Sequence, residues 1–227
     1  MVKEYSYKRD KNVNLSAHFK VKEFRCKDGK TDKILIDSDL IIVLESMFVN
    51  LNCKSITVTS GYRTPEWSVK VGGYATDNHT KGIACDIKCK NKRGEWIPAK
   101  DILCCYELLG YKGGAGKINN YAVHIDTRAI KCFFIEGSKT ITKTSWLAFY
   151  GRNDAKLFTP VIVVDTDLNI RKGAGRGYSI VNNVPCGTHL AISNASVKGE
   201  MFKVGSWGII YYTPQWCSLS PFMVAKL

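Results

Sequence analysis

The chain has 227 residues, 45% of them hydrophobic, and a formal charge of +13. That length allows one large domain or two modest ones, and that hydrophobic content excludes a disordered chain. The excess of Lys and Arg runs through both 1–155 and 156–227, and it concentrates polyanions at the surface without choosing between nucleic acid and the anionic polymers of a bacterial wall.

The nine cysteines are irregularly spaced and form no C-x-x-C pair, which excludes a zinc ribbon and a regular disulfide framework. They read as free thiols made in a reducing cytosol. Residues 1–10 are polar and lack the apolar core of a signal peptide. No run approaches the ~18 apolar residues that span a membrane. The expectation is a protein made in the cytoplasm without a signal peptide and without membrane insertion.

In chain order, residues 15–36 hold short apolar pieces around a polar turn. Asp37 or Ser38 then caps an amphipathic helix over 38–52, because Leu40, Ile41, Val43, Leu44, Met47, Phe48 and Leu51 recur at helical spacing. A strand is predicted at 55–59. Thr64 caps a helix with Pro65 in its first position, ending near Gly72. A strand follows at 83–87, a second amphipathic helix at 98–109 stopped by Gly110, and a strand at 121–127 with 131–135 as its hairpin partner. Helices packed on a small antiparallel sheet make this part α+β.

Residues 145–160 have the look of a linker. Beyond them helical periodicity stops, and short β-rich runs at 161–164, 168–171, 190–192, 202–204, 208–212 and 223–225 alternate with Gly, Asn, Ser and Pro turns. That pattern predicts a small β-barrel. The division read from the chain is 1–145, a linker at 146–160, and 161–227.

Of the four histidines, His18, His79, His124 and His189, two have informative surroundings. Gly82 lets the chain turn tightly between His79 and Asp86, so imidazole and carboxylate can converge. His124 and Asp126 alternate along one strand and share a face. Two histidines and one aspartate make a three-ligand set with an open fourth position, the pattern of catalytic rather than structural zinc. Spacing alone also fits ordinary hydrogen-bonded histidines.

These residues carry a resemblance. H-x-x-G-x-A-x-D is complete from His79 to Asp86, and V-H-I-D runs from Val123 to Asp126. Ser60-Gly61-Tyr62-Arg63-Thr64-Pro65-Glu66, Val71-Gly72-Gly73, the 113–116 segment and the opening Leu15-Ser16-x-His18-Phe19-x-Val21-x-Glu23-Phe24-x-Cys26 fit as well. Over 14–135 the chain resembles the zinc D-alanyl-D-alanine carboxypeptidase and endopeptidase family, and the hedgehog-like α+β fold goes with it. The resemblance implies that His79, Asp86 and His124 bind Zn2+, and that Arg63 sits at the mouth of the site, facing a substrate carboxylate or the oxyanion. The chain departs from the family's pattern twice. Asp77 stands where the signature has serine, and Tyr121 stands where relatives carry the acidic general base. Asp126 is the nearest carboxylate, either as base or as the group that orients His124.

Thr166-Asp167-Leu168-Asn169-Ile170-Arg171-Lys172-Gly173-Ala174-Gly175 resembles the opening of bacterial SH3-like wall-binding domains, with Tyr178, Ile180, Val184, Gly187 and Thr188 falling in register. The resemblance covers 160–227 and implies an aromatic wall-binding groove, with Trp207, Tyr211, Tyr212 and Trp216 as candidates. Small-barrel core packing is the other reading of those four. Together the two parts imply a peptidoglycan hydrolase of the phage or prophage endolysin type. It would be a monomer partnered by peptidoglycan and anionic wall polymers rather than nucleic acid, reaching the wall after release. A host wall-remodelling carboxypeptidase and a non-catalytic wall-binding protein remain as alternatives.

Overall fold

The computed structural model describes residues 1–137, 145–152, 158–164, 167–198, 201–204, 215–218 and 224–226. Strand β1 (Val2–Ser6) leads into a short helix α1 (Tyr7–Asp10), and a 3-10 turn at Val21–Phe24 precedes β2 (Lys33–Asp37). β1 and β2 form an antiparallel ribbon of their own. Helix α2 (Ser38–Asn50) follows directly, then β3 (Cys53–Ser60), α3 (Pro65–Lys70), β4 (Ala84–Asn91), α4 (Ala99–Leu108), β5 (Gly114–Lys117), β6 (Ala122–Asp126), β7 (Cys132–Ile135) and α5 (Trp146–Phe149).

Helices α2 and α4 stand where the apolar spacing predicts them. Their stripes (Leu40, Leu44 and Met47; Ile102, Leu103 and Tyr106) are buried, and each such side chain contributes roughly 1.5–3 kcal/mol on leaving water. They pack on one face of a five-stranded sheet of order β3-β4-β6-β5-β7. Cys85, Ile87 and Cys89 of β4, Val123 and Ile125 of β6, and Phe133 of β7 point into that core. Because strand side chains alternate, Asp86, His124 and Phe134 share the other face.

Two expectations fail in this half. The 131–135 segment does not pair with β6. β7 pairs in parallel with β5 instead, because β6 is already hydrogen-bonded on one edge to β4 and on the other to β5. It has no free edge for a hairpin, and the sheet is mixed rather than antiparallel. The 146–160 segment is not a linker throughout. Trp146 of α5 is fully buried against Phe133, and its indole N–H donates to the Ala115 carbonyl at 3.0 Å.

The second half is a seven-stranded antiparallel sheet of order β10-β9-β13-β12-β11-β8-β14. Its strands are β8 (Phe158–Val163), β9 (Leu168–Arg171), β10 (Ile180–Val184), β11 (His189–Lys198), β12 (Met201–Val204), β13 (Gln215–Ser218) and β14 (Val224–Lys226). Val161, Val163, Leu168, Ile170, Leu190 and Ile192 build its core. Among the described residues no pairing joins β10 to β14, so the barrel expected there is seen as an open sheet. The predicted run 208–212, with Trp207, Tyr211 and Tyr212, lies outside the described residues. The backbone of Trp216 is on β13, opposite Arg171 and Lys203, and its side chain lies outside the description.

Polar residues of α2 join the halves. The Asn50 amide donates to the His189 carbonyl at 2.9 Å and accepts from the Ala191 N–H at 2.7 Å. The Ser46 hydroxyl accepts from the His189 N–H at 2.9 Å. His189 itself stacks on Tyr111 and bonds the Leu109 carbonyl through Nδ1 at 2.7 Å. His18 is likewise satisfied, stacked on Phe48 and paired with Glu45 at 2.7 Å.

Candidate metal centre

Three of the functional side chains foreseen from sequence meet at one point. The register pairs Asp86 on β4 with His124 on β6, which sets both on the open face of the sheet. His79 arrives from the loop before β4. That loop is braced by Asp77, whose Oδ1 accepts from the Thr80 N–H at 3.0 Å and whose Oδ2 accepts from the Ser68 hydroxyl. Gly82 closes it with φ +73°, and a Cβ there would lie 2.5 Å from Leu35, so only glycine fits the turn.

Each imidazole is oriented by a remote acceptor. His79 Nδ1 donates to the Gly61 carbonyl at 2.8 Å, which leaves the Nε2 lone pair facing the cluster. His124 Nε2 donates to Asp126 Oδ2 at 3.0 Å, which leaves Nδ1 facing it. Asp86 Oδ2 is taken by Arg63 Nη2 at 2.8 Å, which leaves Oδ1.

The three free donors then lie 3.2 Å (His79 Nε2 to His124 Nδ1), 3.0 Å (His124 Nδ1 to Asp86 Oδ1) and 3.4 Å (His79 Nε2 to Asp86 Oδ1) apart. Ligands held tetrahedrally at ~2.0–2.1 Å from a zinc ion are spaced by about 3.3 Å, so this donor set fits such an ion without rearrangement. Two imidazole lone pairs and a carboxylate oxygen converging in a buried corner repel one another unless a cation lies between them. The same three residues form the metal-capable cluster found among the described residues.

The electrostatics agree. Burial alone would raise the Asp86 carboxyl, but hydrogen bonds with His124 and His79 outweigh it and hold the group well below the usual carboxylate range. Burial would lower His124, yet its bonds to Asp126 and Asp86 prevail and push it up to about 9.

Asp126 stands behind His124, on the opposite side of the ring from the cluster, and is fully buried. The Gly114 N–H donates to its Oδ1 at 2.9 Å, and the Arg128 guanidinium grips both oxygens, with Nε at 2.8 Å from Oδ1 and 2.9 Å from Oδ2. A Cβ on residue 114 would meet the carboxylate at 2.3 Å, so glycine is required for this approach. Of the two roles open from sequence, these contacts fit that of a group orienting His124. The place of Arg128 as the clamp on Asp126 emerges only from the tertiary structure.

Above the cluster opens a cavity of about 390 Å3. Arg63, Tyr74, Asp77, Phe134 and Glu136 wall it. Arg63 is on that wall, held by Asp86 and, through Nε, by the Ser60 hydroxyl at 2.9 Å. Tyr121 is half-exposed and outside the cavity lining. Glu136 was missed from sequence because the segment was read as ending at 135. The alternation that puts Phe133 in the core and Phe134 on the open face is the signal that points to it.

The family model described as Peptidase M15 matches residues 17–126. The matched span contains His79, Asp86 and His124 and ends on Asp126. Over that span the chain is similar to the M15 peptidases, and His79, Asp86 and His124 form a cluster that could hold a metal ion. No curated protein and no solved structure matches the chain.

Proposed function

We propose that this protein is a zinc peptidase that hydrolyses a peptide bond in the stem peptide or cross-link of bacterial peptidoglycan, acting as an endolysin. The observation that carries the reading is the convergence of His79 Nε2, His124 Nδ1 and Asp86 Oδ1 within 4.8 Å of one another on the floor of an open cavity. Three protein donors with a free fourth direction make a hydrolytic rather than a structural site.

His79, Asp86 and His124 would hold the zinc ion, which when bound would supply Lewis acidity for a peptide carbonyl and for water. The chain's own groups do the rest. Asp126, locked by Arg128 and the Gly114 N–H, keeps the proton on His124 Nε2 and so keeps Nδ1 a donor. The Gly61 carbonyl does the same for His79. Arg63 neutralises Asp86 and presents the remaining edge of its fork to the cavity, where it meets a substrate carboxylate or the oxygen that gains charge. Phe134 and Tyr74 supply apolar walls.

The C-terminal sheet is assigned to wall binding as an SH3-like module, with Trp207, Tyr211, Tyr212 and Trp216 as its aromatic contacts. The LNIR strand β9 and the basic charge support this, since a surface of +13 attracts the anionic polymers of a wall. Purified walls incubated with the protein should lose turbidity, stop doing so with a chelator, and resume with added Zn2+. Lysis by His124→Ala at the wild-type rate would remove the reading.

A further inference from the structure

We propose that Glu136 is the general base of this centre, a role that rests on the peptidase reading above. Hydrolysis of an amide by water needs a proton acceptor beside the cluster, and the carboxylates there can be taken in turn.

Asp86 faces the cluster with Oδ1 and Arg63 with Oδ2. Asp77 is occupied by Ser68 and the Thr80 N–H and holds the His79 loop in place. Asp126 is sealed behind His124 with both oxygens bonded. Glu136 is on the cavity wall and exposed, and among the described residues its carboxylate has no hydrogen-bond or ion-pair partner.

The fold explains why it is there. β7 pairs in parallel with β5, so Phe134 lies beside Gly116 and Gly116 lies opposite His124. The Phe134 ring is 5.4 Å from the His124 imidazole. The ladder continues one bond further, from the Glu136 N–H to the Lys117 carbonyl at 2.9 Å. That bond fixes the Glu136 backbone two residues beyond Phe134, on the same face. Arg63 follows β3 at one edge of the sheet and Glu136 follows β7 at the other, so anion-binding and proton-accepting groups flank the cluster from opposite sides.

In the reaction, the Glu136 carboxylate accepts a proton from the attacking water as its oxygen bonds to the carbonyl carbon. The same carboxyl then delivers that proton to the amide nitrogen as the C–N bond breaks. One water is consumed, one carboxylic acid and one amine are formed, and Glu136 returns to its starting state.

The test uses the full chain loaded with zinc and purified peptidoglycan, comparing wild type, Glu136→Gln and Glu136→Asp. Glu136→Gln should lower kcat by at least about 100-fold, the low end for a lost proton-transfer group, with KM little changed. Glu136→Asp should recover part of the rate. Two readouts need no turnover: zinc affinity and the affinity of the metal-free chain for uncut wall peptide should both match wild type. Activity of Glu136→Gln within about threefold of wild type overturns the assignment, and so does a variant that loses zinc or peptide binding in step with its rate. Wild type that binds zinc yet cuts nothing overturns the peptidase reading and this proposal with it, an outcome distinct from an active wild type with an equally active variant.

Discussion

His124 and Asp126, two residues apart on β6, are joined side by side through Nε2 and Oδ2 at 3.0 Å. Alternation along a strand places both on one face, and the bond turns the imidazole so that its other nitrogen points at Asp86. Asp126→Asn keeps the shape and removes the charge that fixes this tautomer. Zinc affinity should fall about 10–100-fold, as for other groups that orient metal-bound histidines. Competition against a chromophoric chelator measures it, and unchanged affinity would show that Asp126 serves the Arg128 pair alone.

A metal bound by the folded chain and not by the unfolded one stabilises the fold by mass action. At a free zinc concentration 100 times the dissociation constant, the gain is about 2.7 kcal/mol. The melting temperature should therefore rise with added zinc and fall with chelator in the wild type. His124→Ala, which leaves two of the three donors, should show neither shift.

Glu45 provides a pH dependence away from the centre. Burial would raise its carboxyl, but hydrogen bonds from the His18 ring and backbone N–H outweigh that and lower it from its ordinary value. A depressed folded value contributes stability that is complete above the unfolded value of about 4.3 and is lost as pH falls through the folded one. Glu45→Gln should be less stable than wild type at pH 7, and the two denaturation midpoints should converge in acid. A constant gap down to pH 3 would contradict the sign.

Trp146 ties α5 to the sheet. It is fully buried, stacked on Phe133 and Tyr150, and bonded to the Ala115 carbonyl. Trp146→Ala should destabilise by about 3–5 kcal/mol, the range for emptying a large aromatic site. Urea denaturation reads this directly. A loss under about 1 kcal/mol, the ordinary effect of a surface change, would place Trp146 outside the core.

The parts legible in the sequence are those that near neighbours decide. Helical spacing marks α2 and α4, Thr64 and Pro65 mark the start of α3, and strand alternation puts His124 and Asp126 on one face. Ser46 and Asn50 illustrate the limit. They are polar and yet buried, because β11 brings backbone groups of His189 and Ala191 to them from about 140 residues away. β5 escaped notice because Gly114 and Gly116 carry no strand propensity.

By itself the sequence determined that the turn at Gly82 lets His79 and Asp86 converge and that His124 and Asp126 share a strand face, while the set of three ligands came from the resemblance of its motifs to a known family. Only the tertiary structure decided which nitrogen of each ring faces inward, that Asp126 stands behind His124, and that a carboxylate from β7 reaches the same cavity. Each of those outcomes depends on an acceptor or a strand edge distant along the chain: the Gly61 carbonyl, the Gly114 amide, and the edge of β5 left open once β6 was paired on both sides. Hydrogen bonds select a partner by position in space, and the local spacing of residues carries no record of it.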